Sequence, residues 1–221
     1  ASDNGILCDG DNLMLYPAEV EEEFFAALKE EKAVIFEDEA DIAKFREVLF
    51  NEAGKPNPGL VGKDALVIAE AAGVAIPQDT IVIGIKTDKI GSEDVLNHEI
   101  MGPVVLLKSY DTFENAVYMA KQNMIEAGGV GHTAGIFSND MDHVEYAGVN
   151  IPVARLLVNQ PTPDAWGPQT NSLSPAVSEG CGTWGNNILA ANVDYIHMLN
   201  VATIAMKLDR ENPNGEDYFA D

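Results

Sequence analysis

The sequence predicts an α/β fold with a largely parallel sheet. Apolar, strand-like runs alternate with amphipathic helical stretches along most of the 221 residues, and this alternation is typical of β-α-β units. Hydrophobic residues make up 46% of the chain and charged residues 22%, which is an ordinary composition for a folded protein. Because the chain shows neither an internal repeat nor a low-complexity segment, one domain is the simplest interpretation.

The first half of the chain is predicted to contain a strand followed by three helices. Residues 13–16 form the strand, and Pro17 suits the first turn of a helix that continues to about Glu31, since that turn leaves its N–H groups unpaired anyway. Further helices are expected over 38–50 and 62–72, each with apolar residues at helical spacing. The last of these ends before a glycine, a common residue after a helix.

The second half is predicted to add strands, one long helix and a long loop. The helix covers 111–127, where Asp111 and Glu114 resemble a capping box and Gly128 is the stop. Residues 160–187 are rich in Pro, Gly, Ser, Thr and Asn with little periodicity, and a loop of that length is usually functional or disordered. The strands, dense in β-branched or apolar residues, are expected at 80–86, 103–108, 133–137 and 155–158.

Charge and cysteine content narrow the class of protein. With 36 acidic residues against 13 Lys and Arg, the formal charge is −23, which disfavours nucleic acids and anionic membranes as partners. No apolar run is long enough to span a bilayer, and residues 1–10 lack the pattern of a signal peptide. Two cysteines are too few for a disulfide framework, so we expect reduced thiols in the cytoplasm.

Cys8 and His132 are the candidates for catalytic chemistry. Cys8 directly follows the turn-forming Asp3-Asn4-Gly5, where a thiol can be exposed while backbone N–H groups point at a developing oxyanion. His132 follows three glycines in 128–131, which leave room for a ligand beside an imidazole that can act as acid or base. A buried structural cysteine and a histidine bonded to a tight turn are the non-catalytic alternatives.

Two further segments could contact a cofactor. Glu99 precedes a predicted strand, where a carboxylate can accept two ribose hydroxyls, although most glutamates are solvated surface charges. The segment 180–187 contains three glycines and a tryptophan, which suits either a tight loop beside a ligand or a packed turn with Cys181 in a structural role. The four histidines lack zinc-type spacing, and no dinucleotide-binding glycine fingerprint is present.

Taken together and in order, these segments resemble the aldehyde dehydrogenase superfamily, and within it the CoA-acylating branch of acylating semialdehyde dehydrogenases and bifunctional aldehyde/alcohol dehydrogenases. The resemblance covers nearly the whole chain. It rests on the sequences DNGILC at 3–8, GLVG at 59–62, HEIMGP at 98–103, GGVGHT at 128–133, RLLVN at 155–159, and LSPA through GCGTWG over 173–185.

The resemblance implies a three-layer α/β/α catalytic domain and roles for individual residues. Cys8 would be the nucleophile, His132 the residue that deprotonates CoA or stabilises its thiolate, and Glu99, Pro103 and Gly182 contacts of the NAD or NADP cofactor. An aldehyde would add to the cysteine, lose hydride to the nicotinamide, and leave as acyl-CoA. The resemblance also implies a homo-oligomer, and a Rossmann-like cofactor domain that precedes these residues in the family, so we expect no turnover from the 221 residues alone.

Some features of the sequence depart from the acylating pattern. Cys8 is followed by Asp9 and Asp11, and like-charge repulsion from them would raise the pKa of the thiol. The alternatives are therefore a hydrolytic aldehyde dehydrogenase, a Cys–His hydrolase or acyltransferase, and an inactive assembly domain. The aldehyde pocket is expected to draw on 160–171, including Pro161, Pro163, Trp166 and Pro168, while the aldehyde itself and the choice between NAD and NADP stay open.

Overall fold

The structure is a computed structural model that describes residues 2–167, 170–209 and 215. Strands and helices alternate along the chain, which confirms the predicted α/β class. The strands are β1 Leu13–Pro17, β2 Ala33–Phe36, β3 Val82–Lys86, β4 Val104–Tyr110, β5 Gly131–Ile136 and β6 Val153–Val158. The helices are α1 Glu21–Glu30, α2 Glu39–Leu49, α3 Ala65–Ala71, α4 Phe113–Ala127 and α5 Met141–Asn150.

Every strand pair in the described residues is parallel. A four-stranded sheet has the order β1-β4-β3-β2, and β5 pairs with β6 in a separate two-stranded sheet. Within the larger sheet, Leu13 of β1 pairs with Leu106 of β4, and Ile83 of β3 pairs with Val104 of β4. Parallel neighbours place the amino ends of these strands at one edge, and the candidate site lies along that edge.

Helices cover both faces of the four-stranded sheet, which confirms three layers. Alternate residues of β4 point to opposite faces, as a strand requires. Leu106 packs with α2 and α3 around Phe45 and Ile68, which are fully buried, whereas Leu107 packs with α1 through Phe25 on the other face. Burial of each such side chain stabilises the fold by about 1.5–3 kcal/mol.

Two elements, one helix start and one cap differ from the sequence predictions. Pro17, predicted in the first turn of a helix, ends β1 instead, and α1 begins at Glu21 after a short 3-10 turn. Strand β2 and helix α5 were not predicted, since β2 has only four residues and α5 buries little besides Ala147, so neither carries a clear period. The N-cap of α4 is Thr112, whose hydroxyl accepts a hydrogen bond from the Asn115 amide. The prediction of an Asp111–Glu114 capping box was therefore wrong by one residue.

Helix length and polarity also bear on membrane association. In the part of the chain that the structure describes, none of the helices combines the length and the apolar character needed to cross a bilayer.

Candidate active site

The cysteine turn is shaped by three consecutive residues in the left-handed region. Asp3, Asn4 and Gly5 have φ values of 50°, 51° and 69°. Gly5 also packs so closely on the Gly102 carbonyl that a Cβ at this position would overlap it, which explains why glycine occupies the turn. The Asn4 side-chain amide donates to the carbonyl oxygen of Gly62 at 3.2 Å and to a carboxylate oxygen of Asp64 at 2.9 Å, so it anchors the turn to the next loop.

Cys8 is exposed at this turn, and its thiol is free. Partial burial of the sulfur is the main cause that raises the pKa of Cys8, followed by the negative charges of Asp9, Glu179 and, more weakly, Glu99. The predicted direction of the shift and the contribution of Asp9 are confirmed, whereas Asp11, predicted to contribute as well, is not among the charges that act on Cys8. Glu179, which lies 171 residues away in the chain, acts on it instead. At neutral pH the thiol is therefore mostly protonated and needs a nearby proton acceptor.

A cavity of about 170 Å³ lies beside the cysteine turn at the amino ends of β1, β3 and β4. Leu7 and Gly10, on either side of Cys8, contribute to its wall. Glu99 and Pro103 lie on the same wall, so two of the three predicted cofactor residues are brought together. The Glu99 side chain is exposed, and an exposed carboxylate at a cavity rim suits the two hydroxyls of a ribose.

His132 lies at the start of β5, where Gly131 allows a close approach of two segments. Gly131 has a φ of 85°, and a Cβ there would overlap the carbonyl oxygen of Cys181. The half-buried imidazole places Nδ1 3.1 Å from the hydroxyl oxygen of Thr133. Burial lowers the pKa of His132 and the charge of Arg155 lowers it further, while Asp9 partly opposes both. The imidazole is therefore neutral at physiological pH and can accept a proton.

Arg155 connects the histidine strand to the glycine-rich loop. Its side chain is only 2% exposed, and its Nε lies 3.1 Å from Oε2 of Glu179. The guanidinium donates to the Thr133 hydroxyl at 3.2 Å, to the Gly180 carbonyl at 3.0 Å and to the His132 carbonyl at 3.4 Å. This buried cation thus ties the backbone of His132 to the glycine-rich loop. Its motif belonged to the sequence resemblance, but no role was assigned to it.

Two buried carboxylates complete the surroundings of the cysteine. Asp9 is 4% exposed, and the Glu179 side chain is 7% exposed. Within the described residues, none of their four oxygens has a hydrogen-bond partner, although Glu179 is within ion-pair distance of Arg155. Burial raises the pKa of both groups, and Arg155 partly offsets the rise in each. Sequence reasoning missed Glu179, whose only signal was its position directly before the Gly180-Cys181-Gly182 segment.

Gly182 is placed apart from the other predicted cofactor residues. It is buried beside β5, and its N–H donates to the Leu189 carbonyl at 2.8 Å and to the Asn187 side chain at 3.0 Å. A Cβ on Gly182 would lie 2.8 Å from that of Ala190. Gly182 is not among the described residues that line the cavity of Glu99 and Pro103, so its predicted cofactor contact stays a prediction.

The predicted aldehyde segment reaches the same cavity. Pro161 and Pro163 line it together with Thr162, and the side chain of Trp166 is close enough to Asp9 to lower the pKa of that carboxyl. Pro168, which belongs to the same prediction, lies outside the described residues. The cavity is therefore bordered by the cysteine turn, the Glu99 segment and the start of the long loop.

Comparisons with known proteins identify the family. The sequence profile of the aldehyde dehydrogenase family matches residues 70–170. The chain is 43% identical over 91% of its length to a succinate-semialdehyde dehydrogenase (acetylating) of Clostridium kluyveri, and it covers 44% of that protein. It is 32% identical over 95% of its length to an aldehyde-alcohol dehydrogenase of Clostridium acetobutylicum, of which it covers 24%.

A solved structure gives the same assignment. The crystal structure of an acetylating aldehyde dehydrogenase from Geobacillus thermoglucosidasius superimposes with a TM-score of 0.87 at 30% identity, covering 96% of this chain and 46% of that one. The chain spans less than half the length of each of these relatives. It belongs to the aldehyde dehydrogenase family, and its similarity is to the CoA-acylating branch.

Proposed function

We propose that the protein containing this chain oxidises an aldehyde with NAD or NADP and transfers the acyl group to CoA. One observation carries the proposal: the exposed thiol of Cys8 lies in the chain between Leu7 and Gly10, which line the same cavity as Glu99, and the charge of Asp9 acts on both Cys8 and His132. Membership of the acylating branch supports the same chemistry.

Cys8 is the proposed nucleophile. Its sulfur attacks the aldehyde carbon, which forms a C–S bond, and the thiol proton passes to the aldehyde oxygen to give a thiohemiacetal on the enzyme. With NAD or NADP bound as the hydride acceptor, that carbon would give up its hydride and the hydroxyl its proton to solvent, which would leave an acyl group in thioester linkage to Cys8. Attack by the CoA thiolate then breaks this linkage, releases acyl-CoA and returns the Cys8 thiolate.

His132 is the proposed proton acceptor for the thiol of CoA. Its pKa is lowered by burial and by Arg155, so the imidazole is neutral when CoA arrives and can take the thiol proton. The bond from Arg155 to the His132 carbonyl fixes the backbone that carries the ring.

Glu99 and Pro103 are the proposed contacts of the dinucleotide. The exposed Glu99 carboxylate can accept hydrogen bonds from ribose hydroxyls, and Pro103 gives the cavity wall an apolar surface. When bound there, NAD or NADP supplies the hydride acceptor. Cys8 carries the acyl group, and His132 accepts the proton of the CoA thiol.

The proposal includes the cellular compartment and the oligomeric state of the protein. Both cysteines are free thiols, which fits a reducing compartment and hence the cytoplasm.

Apolar side chains of the last described segment are exposed, among them Ile188 at 104%, Met198 at 79% and Ile204 at 89%. Exposed apolar surface of this kind supports assembly into a homo-oligomer, which light scattering of the purified protein will test.

The enzymatic proposal is tested by following NADH or NADPH at 340 nm with the complete protein, an aldehyde, and CoA present or absent. We expect formation of reduced cofactor to require CoA, and Cys8→Ala to abolish it while Cys181→Ala keeps it. A CoA-independent reaction that yields a carboxylic acid would support a hydrolytic enzyme instead. Ester cleavage without any nicotinamide cofactor would support a Cys–His hydrolase.

A further inference from the structure

The imidazole of His132 is held by one neighbouring side chain. Its Nδ1 lies 3.1 Å from Oγ1 of Thr133, the next residue in the chain. Within the described residues this is the one hydrogen bond of the ring, and Nε2 makes none. A neutral imidazole carries its proton on only one of its two nitrogens. The bond at Nδ1 therefore decides whether Nε2 is a donor or an acceptor.

The Thr133 hydroxyl is itself fixed by a buried cation. Strands β5 and β6 pair in parallel with Thr133 opposite Arg155, so the two side chains are neighbours on one face of the sheet. The Nε of Arg155 lies 3.2 Å from the Thr133 hydroxyl oxygen. Because a guanidinium has only donors, that oxygen accepts this bond. Arg155 is in turn held by the Gly180 carbonyl and by Glu179, so the position of the hydroxyl is set by the folded strands.

The bond between Thr133 and Nδ1 can run in two directions. A hydroxyl oxygen has two lone pairs and one proton, and Arg155 occupies one lone pair. If the second lone pair accepts from an Nδ1 proton, the lone pair of Nε2 stays free. If the hydroxyl proton is donated to Nδ1, the neutral ring carries its own proton on Nε2, which can then only donate. A base at Nε2 therefore requires that Thr133 accepts.

The accepting arrangement also suits the charged ring. When Nε2 takes a proton, both ring nitrogens are donors, and the Nδ1 proton keeps its bond to Thr133 without any rotation of the hydroxyl. Burial and the charge of Arg155 lower the pKa of His132, while the charge of Asp9 opposes them. The ring is therefore neutral before it acts, and the position of its single proton depends on its hydrogen bonds.

We propose that Thr133 is the positioning residue of His132: its hydroxyl oxygen accepts the Nδ1 proton, which keeps the lone pair of Nε2 free for the thiol proton of CoA. The proposal rests on the proposed function and adds how its base is prepared. The thiol proton passes to Nε2, and the CoA sulfur keeps the electron pair. That sulfur bonds to the acyl carbon, and the bond from this carbon to Cys8 breaks with its electron pair on the Cys8 sulfur.

The first test measures the two half-reactions of the complete protein carrying Thr133→Val, which removes the hydroxyl and keeps the shape. A proton on Nδ1 would then face a methyl group without an acceptor, so the neutral ring carries it on Nε2 instead. We expect attack of CoA on the acyl-enzyme to slow at least about tenfold, since a positioned base contributes about 100- to 10,000-fold. The burst of reduced cofactor without CoA should change less than about twofold. An equal loss in both steps would overturn the proposal.

Two further variants and the pH dependence separate positioning from a structural role. Thr133→Ser keeps the hydroxyl and should restore the CoA step to within about threefold of the parent. Thr87→Val removes a hydroxyl that accepts from the Lys89 amide at 3.0 Å, at the carboxyl end of β3 away from the site, and should change neither step. The deficit of Thr133→Val should shrink above about pH 8.5, the ordinary pKa of a thiol, because CoA then ionises without a base. A deficit that does not vary with pH, or that Thr133→Ser shares, contradicts the assignment.

NMR of the complete protein labelled with ¹⁵N-histidine tests the position of the proton without any turnover. At about pH 8, where the ring is neutral, we expect the proton of His132 on Nδ1 in the parent and on Nε2 in Thr133→Val, with the signals assigned from His132→Gln. A proton on Nε2 in the parent would refute the inference, and this measurement does not depend on the folding of Thr133→Val. If the proton is on Nδ1 but no reduced cofactor forms with CoA, the proposed function fails and the role toward CoA fails with it, while the tautomer assignment stands.

Discussion

Two buried aspartates of this protein have pKa shifts in opposite directions because their surroundings differ. Asp94, at 8% exposure, receives hydrogen bonds from the guanidinium of Arg46 at 2.8, 3.1 and 2.6 Å, from Lys89 at 3.2 Å and from the Leu96 amide at 3.1 Å. Asp9 is buried further, and within the described residues its oxygens have no cation at close range, where only its own backbone amide and the nearby Trp166 side chain oppose burial. The pKa of Asp94 is lowered to about 2, chiefly by Arg46 acting against burial, while burial raises the pKa of Asp9.

This difference separates a structural carboxylate from a functional one. Asp94 begins a short helical turn packed against α2 and fixes that loop through satisfied bonds. Asp9 adjoins the nucleophile, and burial without a strong counter-charge raises its pKa, so its ionised form costs stability. Active sites commonly retain groups that destabilise the fold, because those groups act on the substrate.

The largest effect is expected at Arg155, the cation on which the active-site cluster depends. Arg155→Leu removes three hydrogen bonds and leaves Glu179 without its counter-charge, so we expect a loss of about 3–5 kcal/mol in the free energy of unfolding. Urea denaturation followed by tryptophan fluorescence measures it. The double variant Arg155→Leu with Glu179→Leu should recover part of the loss, and a single variant as stable as the parent would contradict this role.

A smaller loss is expected at Asp94. Its pKa falls from 3.8 to about 2 on folding, which corresponds to about 2 kcal/mol of stability from the ionised form. That contribution is present above about pH 4 and is lost as the pH falls toward 2. Asp94→Asn should therefore destabilise the protein by about 2 kcal/mol at pH 7. In the variant, the free energy of unfolding should also fall less steeply between about pH 4 and pH 2. If the free energy of unfolding falls as steeply with acid in the variant as in the parent, the pairing of Asp94 with Arg46 is contradicted.

The opposite dependence of stability on pH is expected at Asp9. Because its pKa is raised in the folded state, the group binds its proton more tightly when folded, and stability declines as the pH rises from about 4 through the raised value. Asp9→Asn should thus stabilise the protein at pH 7, because it removes a carboxylate that is harder to ionise in the folded state. A loss of stability at pH 7 would show that Asp9 has a structural partner.

The smallest change is expected in the reactivity of the Cys8 thiol. Its pKa is raised above 9.0 by burial and by the neighbouring carboxylates, so the rate of alkylation by iodoacetamide should still be increasing at pH 9. Asp9→Asn should shift this titration modestly to lower pH. Peptide mass spectrometry separates Cys8 from Cys181, and a rate that levels off near pH 7 would contradict the raised pKa.

Local patterns predicted most of the fold but only part of the site. Helix α4 was predictable because its apolar face repeats over 15 residues, whereas the four residues of β2 depend on pairing with β3 for their conformation. Cys8 and Glu99 could be predicted as site residues from the sequence next to them, since a turn precedes Cys8 and a strand follows Glu99. Glu179 could not, because its charge comes near Cys8 only in the folded chain.

The central claim is that Cys8 carries the acyl group during turnover. The most direct measurement incubates the complete protein with an aldehyde and NAD or NADP in the absence of CoA, and then maps the peptides by mass spectrometry. We predict an acyl adduct in thioester linkage on Cys8 that disappears when CoA is added, with formation of acyl-CoA. Reduced cofactor formed while Cys8 stays unmodified, or an adduct on Cys181 instead, would contradict the account.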